Sequence, residues 1–117
     1  MSNATQINPL SEAQALAEEL FFEPVIGYRC LPSGDPRYAM GEKMDNSMDW
    51  QDDDCTGEEL RGACALASTV QLDEAVRILR GYHGDDAAIY IIAGDSASRG
   101  QDLHEIIIAN PHVVGII

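Results

Sequence analysis

Glu105 stands where a carboxylate can do chemistry. It opens the apolar run Ile106-Ile107-Ile108 directly after a polar stretch. A strand holds such a group rigidly at the mouth of a cleft, and partial loss of water tunes its acidity. An ordinary strand-end residue facing solvent is the competing reading of the same position. His104 precedes it and is read either as part of such a site or as a surface ring. His83 reads as a charge near a helix end, and His112 as a turn residue. The histidines lack H-x-x-x-H spacing and the cysteines lack C-x-x-C spacing, so no metal is expected.

A second concentration of reactive groups lies in 42–59. Glu42, Asp45, Asp49, Asp52, Asp53, Asp54, Glu58 and Glu59 face only Lys43, giving −7 of the chain's formal −13. Carboxylate oxygens suit hard cations. Yet Asp52-Asp53-Asp54 are consecutive, whereas an EF-hand needs alternating ligands with glycine at its sixth position. The segment is therefore expected to be a long acidic loop, solvated or facing a partner. Trp50 and Met44 would pin it to the body, and Met40, Met44 and Met48 would share one side of a helical turn if one formed. A basic protein is the partner such a loop would meet. The net charge of −13 and pI near 4.2 disfavour nucleic acid, whose phosphates require Lys and Arg, and equally disfavour anionic membranes.

At 117 residues the chain reads as one domain over residues 8–117, with residues 1–7 an N-terminal tail or vector remnant. No apolar run reaches the ~20 residues that cross a bilayer. No charged-then-apolar leader is visible in it. The three cysteines, Cys30, Cys55 and Cys64, are odd in number and widely spaced. They read as reduced thiols of a cytoplasmic protein, with Cys30 and Cys64 in the core and Cys55 among the acids.

These groups need elements to position them. Ala13, Leu16, Ala17, Leu20 and Phe21 form one helical face, in a helix starting at Asn8-Pro9 or Ser11 and stopped by Pro24. Val25 to Leu31 reads as a strand followed by a turn over 32–36. An irregular stretch is expected from Arg37 to Asp54, then a short helical turn opened by Thr56-Gly57-Glu58-Glu59 and closed near Gly62. Ala63 to Ala67 reads as a short strand and Val70 to Tyr82 as a helix capped by Gly84. Ala87–Ala93, Glu105–Ala109 and Val113–Ile117 read as strands, with a polar connection at 94–100 and a bend at Asn110-Pro111. The expected class is α+β: a small mixed or antiparallel sheet, two main helices and the long acidic loop.

The series Gly27-Tyr28-Arg29, then Ala65-Leu66-Ala67-Ser68-Thr69 before a helix, then Glu105-Ile106-Ile107-Ile108 resembles a compressed ADP-ribosyltransferase pattern. The resemblance spans about Val25 to Pro111 and implies NAD as the cofactor. It implies that Tyr28 and Arg29 on the first strand and Ser68 with Thr69 at a strand end bind NAD, and that Glu105 is catalytic. Leu103 stands where arginine-modifying members carry an acidic or amide residue, so that subclass is not implied.

Overall fold

The computed structural model describes residues 9–31, 37–44, 48–51, 59–99 and 104–117. Helix α1 (Pro9–Leu20) begins at a proline, whose fixed φ suits a first helical turn. Ala13 and Ala17 are fully buried on its inner face, and their small side chains let the helix lie close to the sheet. Phe21 N–H still bonds the Ala17 carbonyl at 2.8 Å; the chain then leaves the helix three residues before Pro24. Helix α2 (Leu72–His83) has Asp73 and Glu74 in its first turn and Arg80 and His83 in its last, matching the helix dipole at both ends. Gly84 closes it at φ 104°, its N–H bonding the Arg80 carbonyl.

The strands are β1 (Val25–Leu31), β2 (Met48–Gln51), β3 (Glu59–Ala67), β4 (Ala88–Gly94), β5 (Ser96–Arg99), β6 (Glu105–Ala109) and β7 (His112–Ile116). Six of them form an antiparallel sheet in the order β5-β6-β3-β1-β4-β7, and β2 pairs with β3. The class is α+β, as expected. Three local expectations are corrected. Met48–Gln51 is a strand where an irregular stretch was expected, so Met48 does not join a methionine-lined helical turn. Glu59 to Gly62 belongs to β3, not to a helical turn, because Leu60, Arg61 and Gly62 pair with Trp50, Asp49 and Met48. The polar connection after Gly94 contains β5, held by β6 through Ser96↔Ala109 to Arg99↔Ile106. The acidic residues 45–47 and 52–58, the turn 32–36 and Leu103 lie outside the described residues.

The sheet divides into two halves at a narrow seam. β1 and β4 share seven paired positions, whereas β1 and β3 share only Gly27↔Ala67 and Tyr28↔Leu66. The far half then turns over the near one. A Cβ built on Gly27 would lie 2.9 Å from the Ala65 Cβ and 3.1 Å from the Ile108 Cδ1. One built on Gly94 would lie 2.0 Å from the Ala109 carbonyl oxygen. Only hydrogen at Gly94 lets β6 approach β4 so closely, and hydrogen at Gly27 makes room for β3 and for the Ile108 side chain of β6. β5 follows β4 through Asp95 alone, so one bent strand serves both halves.

Alternation along the strands gives two cores. Away from the helices, Leu31, Met44, Ala65, Tyr90, Ile92, Ile108 and Val113 pack together. On the helix side, Tyr28, Ile91, Ala93 and Val114 meet Ala13, Ala17 and Ala75. Residues 41–44 line the outer edge of β7: Gly41 N–H bonds the Val113 carbonyl at 2.7 Å, and Val113 N–H bonds that of Glu42 at 2.9 Å. Met44, 2% exposed, anchors this segment as expected. Of the core cysteines expected, Cys30 is buried; the Cys64 side chain and Cys55 fall outside the described residues.

Two glycines should respond oppositely to alanine. Gly94→Ala should lower unfolding free energy by about 1–3 kcal/mol through overpacking. Gly81, inside α2 with no atom within 4 Å of an added Cβ, should gain about 0.5–1 kcal/mol. Urea denaturation of both variants measures the difference.

Candidate functional site

β3 ends at Ala67, and its continuation stays tied to both neighbours. Ala67 N–H bonds the His104 carbonyl at 2.8 Å, and Ser68 N–H bonds the Ile26 carbonyl at 3.2 Å. Val70 N–H then bonds the Ala67 carbonyl at 3.0 Å, turning the chain towards α2. Ser68 and Thr69 are exposed on that turn. On the adjoining strand Leu66 sits opposite Glu105, which is half-buried. The fold thus brings Ser68, Thr69, His104 and Glu105 to one end of two neighbouring strands.

The other two expected residues are placed differently. Tyr28, Leu66 and Glu105 occupy one row across β1, β3 and β6, so they share the helix-side face. Tyr28 is fully buried in that row beneath the helices, packed with Ala13, Ala17 and Ala75. It is part of the core rather than a surface that a ligand reaches. Arg29 lies opposite Tyr90 on the reverse face. The guanidinium and the Glu105 carboxylate therefore leave the sheet on opposite sides, and the expected gathering of all these groups in one cleft does not include Arg29.

Backbone geometry sets His104 apart. It has φ 67°, and Asn110 has φ 50°. Asn110 is explained by its turn: asparagine tolerates this conformation, and its Nδ2 donates to Asp95 Oδ2 at 3.2 Å. His112 Nδ1–H donates to the Asn110 carbonyl at 2.9 Å, and its ring meets Phe21 edge-on at 5.4 Å. His112 therefore begins β7 instead of forming the turn. Histidine also tolerates this conformation better than most residues, and the His104 side chain is exposed.

Two buried groups show perturbed acidity. Burial pushes the Tyr28 phenol up from its ordinary value. Burial does the same to the Cys30 thiol, partly offset by the positive charges of Arg80 and Arg29. A buried, protonated thiol is a poor nucleophile, which agrees with a core role. Among the described residues no group of three or more His, Cys, Asp or Glu is arranged to hold a metal ion. Likewise, no helix among them is long and apolar enough to cross a membrane. Comparison with protein-family models, with curated proteins and with solved structures finds no match.

The Tyr28 hydroxyl is buried without a hydrogen-bond partner. Leaving such a group unsatisfied costs about 1–3 kcal/mol. Tyr28→Phe should therefore raise stability at neutral pH. Because the folded phenol binds its proton more tightly than the unfolded one, wild-type stability should fall as pH rises above the ordinary tyrosine value. Chemical denaturation from pH 8 to 11 should show a shallower alkaline loss for Tyr28→Phe.

Proposed function

We propose that this chain is an ADP-ribosyltransferase-like domain that uses NAD, with Glu105 as its working carboxylate and the hydroxyls of Ser68 and Thr69 as ligand contacts. The observation supporting this reading is the strand-end arrangement that sets an exposed Ser-Thr turn beside a half-buried glutamate. NAD supplies an activated ribose whose bond to nicotinamide can break. As it breaks, the electron pair leaves with nicotinamide and positive charge develops on the ribose. A carboxylate such as Glu105 stabilises that charge and accepts a hydrogen bond from a ribose hydroxyl, while an acceptor nucleophile forms the new bond. Ser68 and Thr69 can donate to the ligand's carbonyl, hydroxyl or phosphate oxygens. The placement of Arg29 on the reverse face gives it no direct part in this site.

Calorimetry with NAD, paired with release of nicotinamide, tests the proposal. Glu105→Gln should cut NAD consumption by about 100-fold or more, with a much smaller change in affinity. Arg29→Ala should weaken binding less than Ser68→Ala. Absence of NAD binding by the wild-type chain, or full turnover by Glu105→Gln, contradicts it.

One observation favours a second, non-enzymatic reading. β2 pairs with β3 only over Glu59–Gly62, before β3 reaches β6 at Ala63. The strand pair that includes Asp49 and Glu59 thus lies on β3 before its pairing with β6, at a place where a basic protein could meet it. Changing Asp52, Asp53 and Asp54 to asparagine should then weaken retention on an immobilised basic protein, and salt should do the same to wild type. Salt-insensitive retention, or retention unchanged in the triple variant, opposes this reading.

A further inference from the structure

We propose that His104 is a positioning residue: its left-handed backbone aims Glu105 at the Ser68–Thr69 turn. The choice of NAD as ligand rests on the functional reading above, but the positioning itself does not. Three observations carry it. His104 has φ 67°, a left-handed conformation that few residues adopt and that glycine, asparagine, aspartate and histidine accept best, β-branched residues worst. Its carbonyl accepts the Ala67 N–H at 2.8 Å, beside Ser68. The very next residue, Glu105, is already in register opposite Leu66.

The backbone conformation joins these facts. In a regular strand the chain before Glu105 would continue straight along β3. The left-handed φ instead takes His104 itself out of the extended conformation while keeping the last rung at Ala67. β6 therefore starts abruptly, and its first side chain is the glutamate. Strain in a non-glycine residue persists where surrounding contacts over-determine it, and such residues gather at functional sites. The exposed imidazole is not what holds this conformation; the rung to Ala67 and the Leu66–Glu105 pairing hold it.

The test compares His104→Gly, His104→Asn and His104→Val in the full chain. Glycine and asparagine accept a positive φ, whereas β-branched valine resists it. Amide hydrogen exchange at Ala67 reads the rung directly, and NAD affinity reads the site. Native-like amide spectra establish that each variant folds, and His104→Ala replaces His104→Val if valine prevents folding. In His104→Val, Ala67 exchange should accelerate and NAD binding should weaken, each by about tenfold. His104→Gly and His104→Asn should remain near wild type. Unchanged Ala67 exchange in a folded His104→Val overturns the proposal. So does equal loss in all three variants, which would assign the role to the imidazole. If wild type binds no NAD, the nucleotide reading fails by itself, and the exchange result still decides the positioning claim.

Discussion

The close approach of β6 to β1 and β4 is the constraint on which this molecule turns. Gly94 supplies it, because a methyl group there would overlap the Ala109 carbonyl of β6, and Gly27 contributes room where a methyl group would overlap β3 and crowd the Ile108 side chain. With those contacts made, Ile108 fills the space between the two halves of the sheet and is fully buried. The two-position seam between β1 and β3 lets the halves diverge, and Asp95 is the hinge through which β4 becomes β5. Glu105 inherits its position from this closure, since it is four residues from the crossing point on the same short strand.

The two faces of the near half have different work. The helix side is packed with alanines from both helices, which leaves Tyr28 enclosed but its hydroxyl without a partner. The other side is sealed by Met44 and by Tyr38, whose N–H donates to the Tyr90 hydroxyl at 3.2 Å. The segment containing Glu42 and Met44 is thereby fastened to β7 by backbone bonds, so the acidic stretch begins from a fixed point. It enters the fold again as strand β2. Charge in this chain is strongly one-sided at −13, yet the core contains no buried charged or polar residue among those described. Among the described residues the charged side chains thus stay out of the core, and apolar packing holds the fold together.

Elements with strong local signals were legible in the sequence. β1 and β6 match their expected bounds, because Val25–Leu31 and Glu105–Ala109 are apolar runs between turn residues. α2 begins two residues later than the pattern indicates, since Val70 is used in the turn after Ala67. β2 and β5 were not legible. Ser96-Ala97-Ser98-Arg99 has little apolar content and becomes a strand because the edge of β6 receives it. Glu59-Leu60-Arg61 has helical preferences, overridden by pairing with a distant segment. The candidate site divides in the same way. Glu105 and the Ser68–Thr69 turn could be marked from strand ends, but the side of the sheet taken by Arg29 depends on register, which composition does not reveal. The signal for His104 was its place beside Glu105; its backbone conformation emerged only in three dimensions.

The central claim is that one strand end, built from the β3 turn and the start of β6, receives the ligand. Chemical-shift mapping of the full chain during NAD titration addresses it most directly. The account predicts saturable shifts concentrated at the amides of Ala67 to Val70 and His104 to Ile106. Shifts confined to residues 42–59, or a spectrum that NAD leaves unchanged, would contradict it.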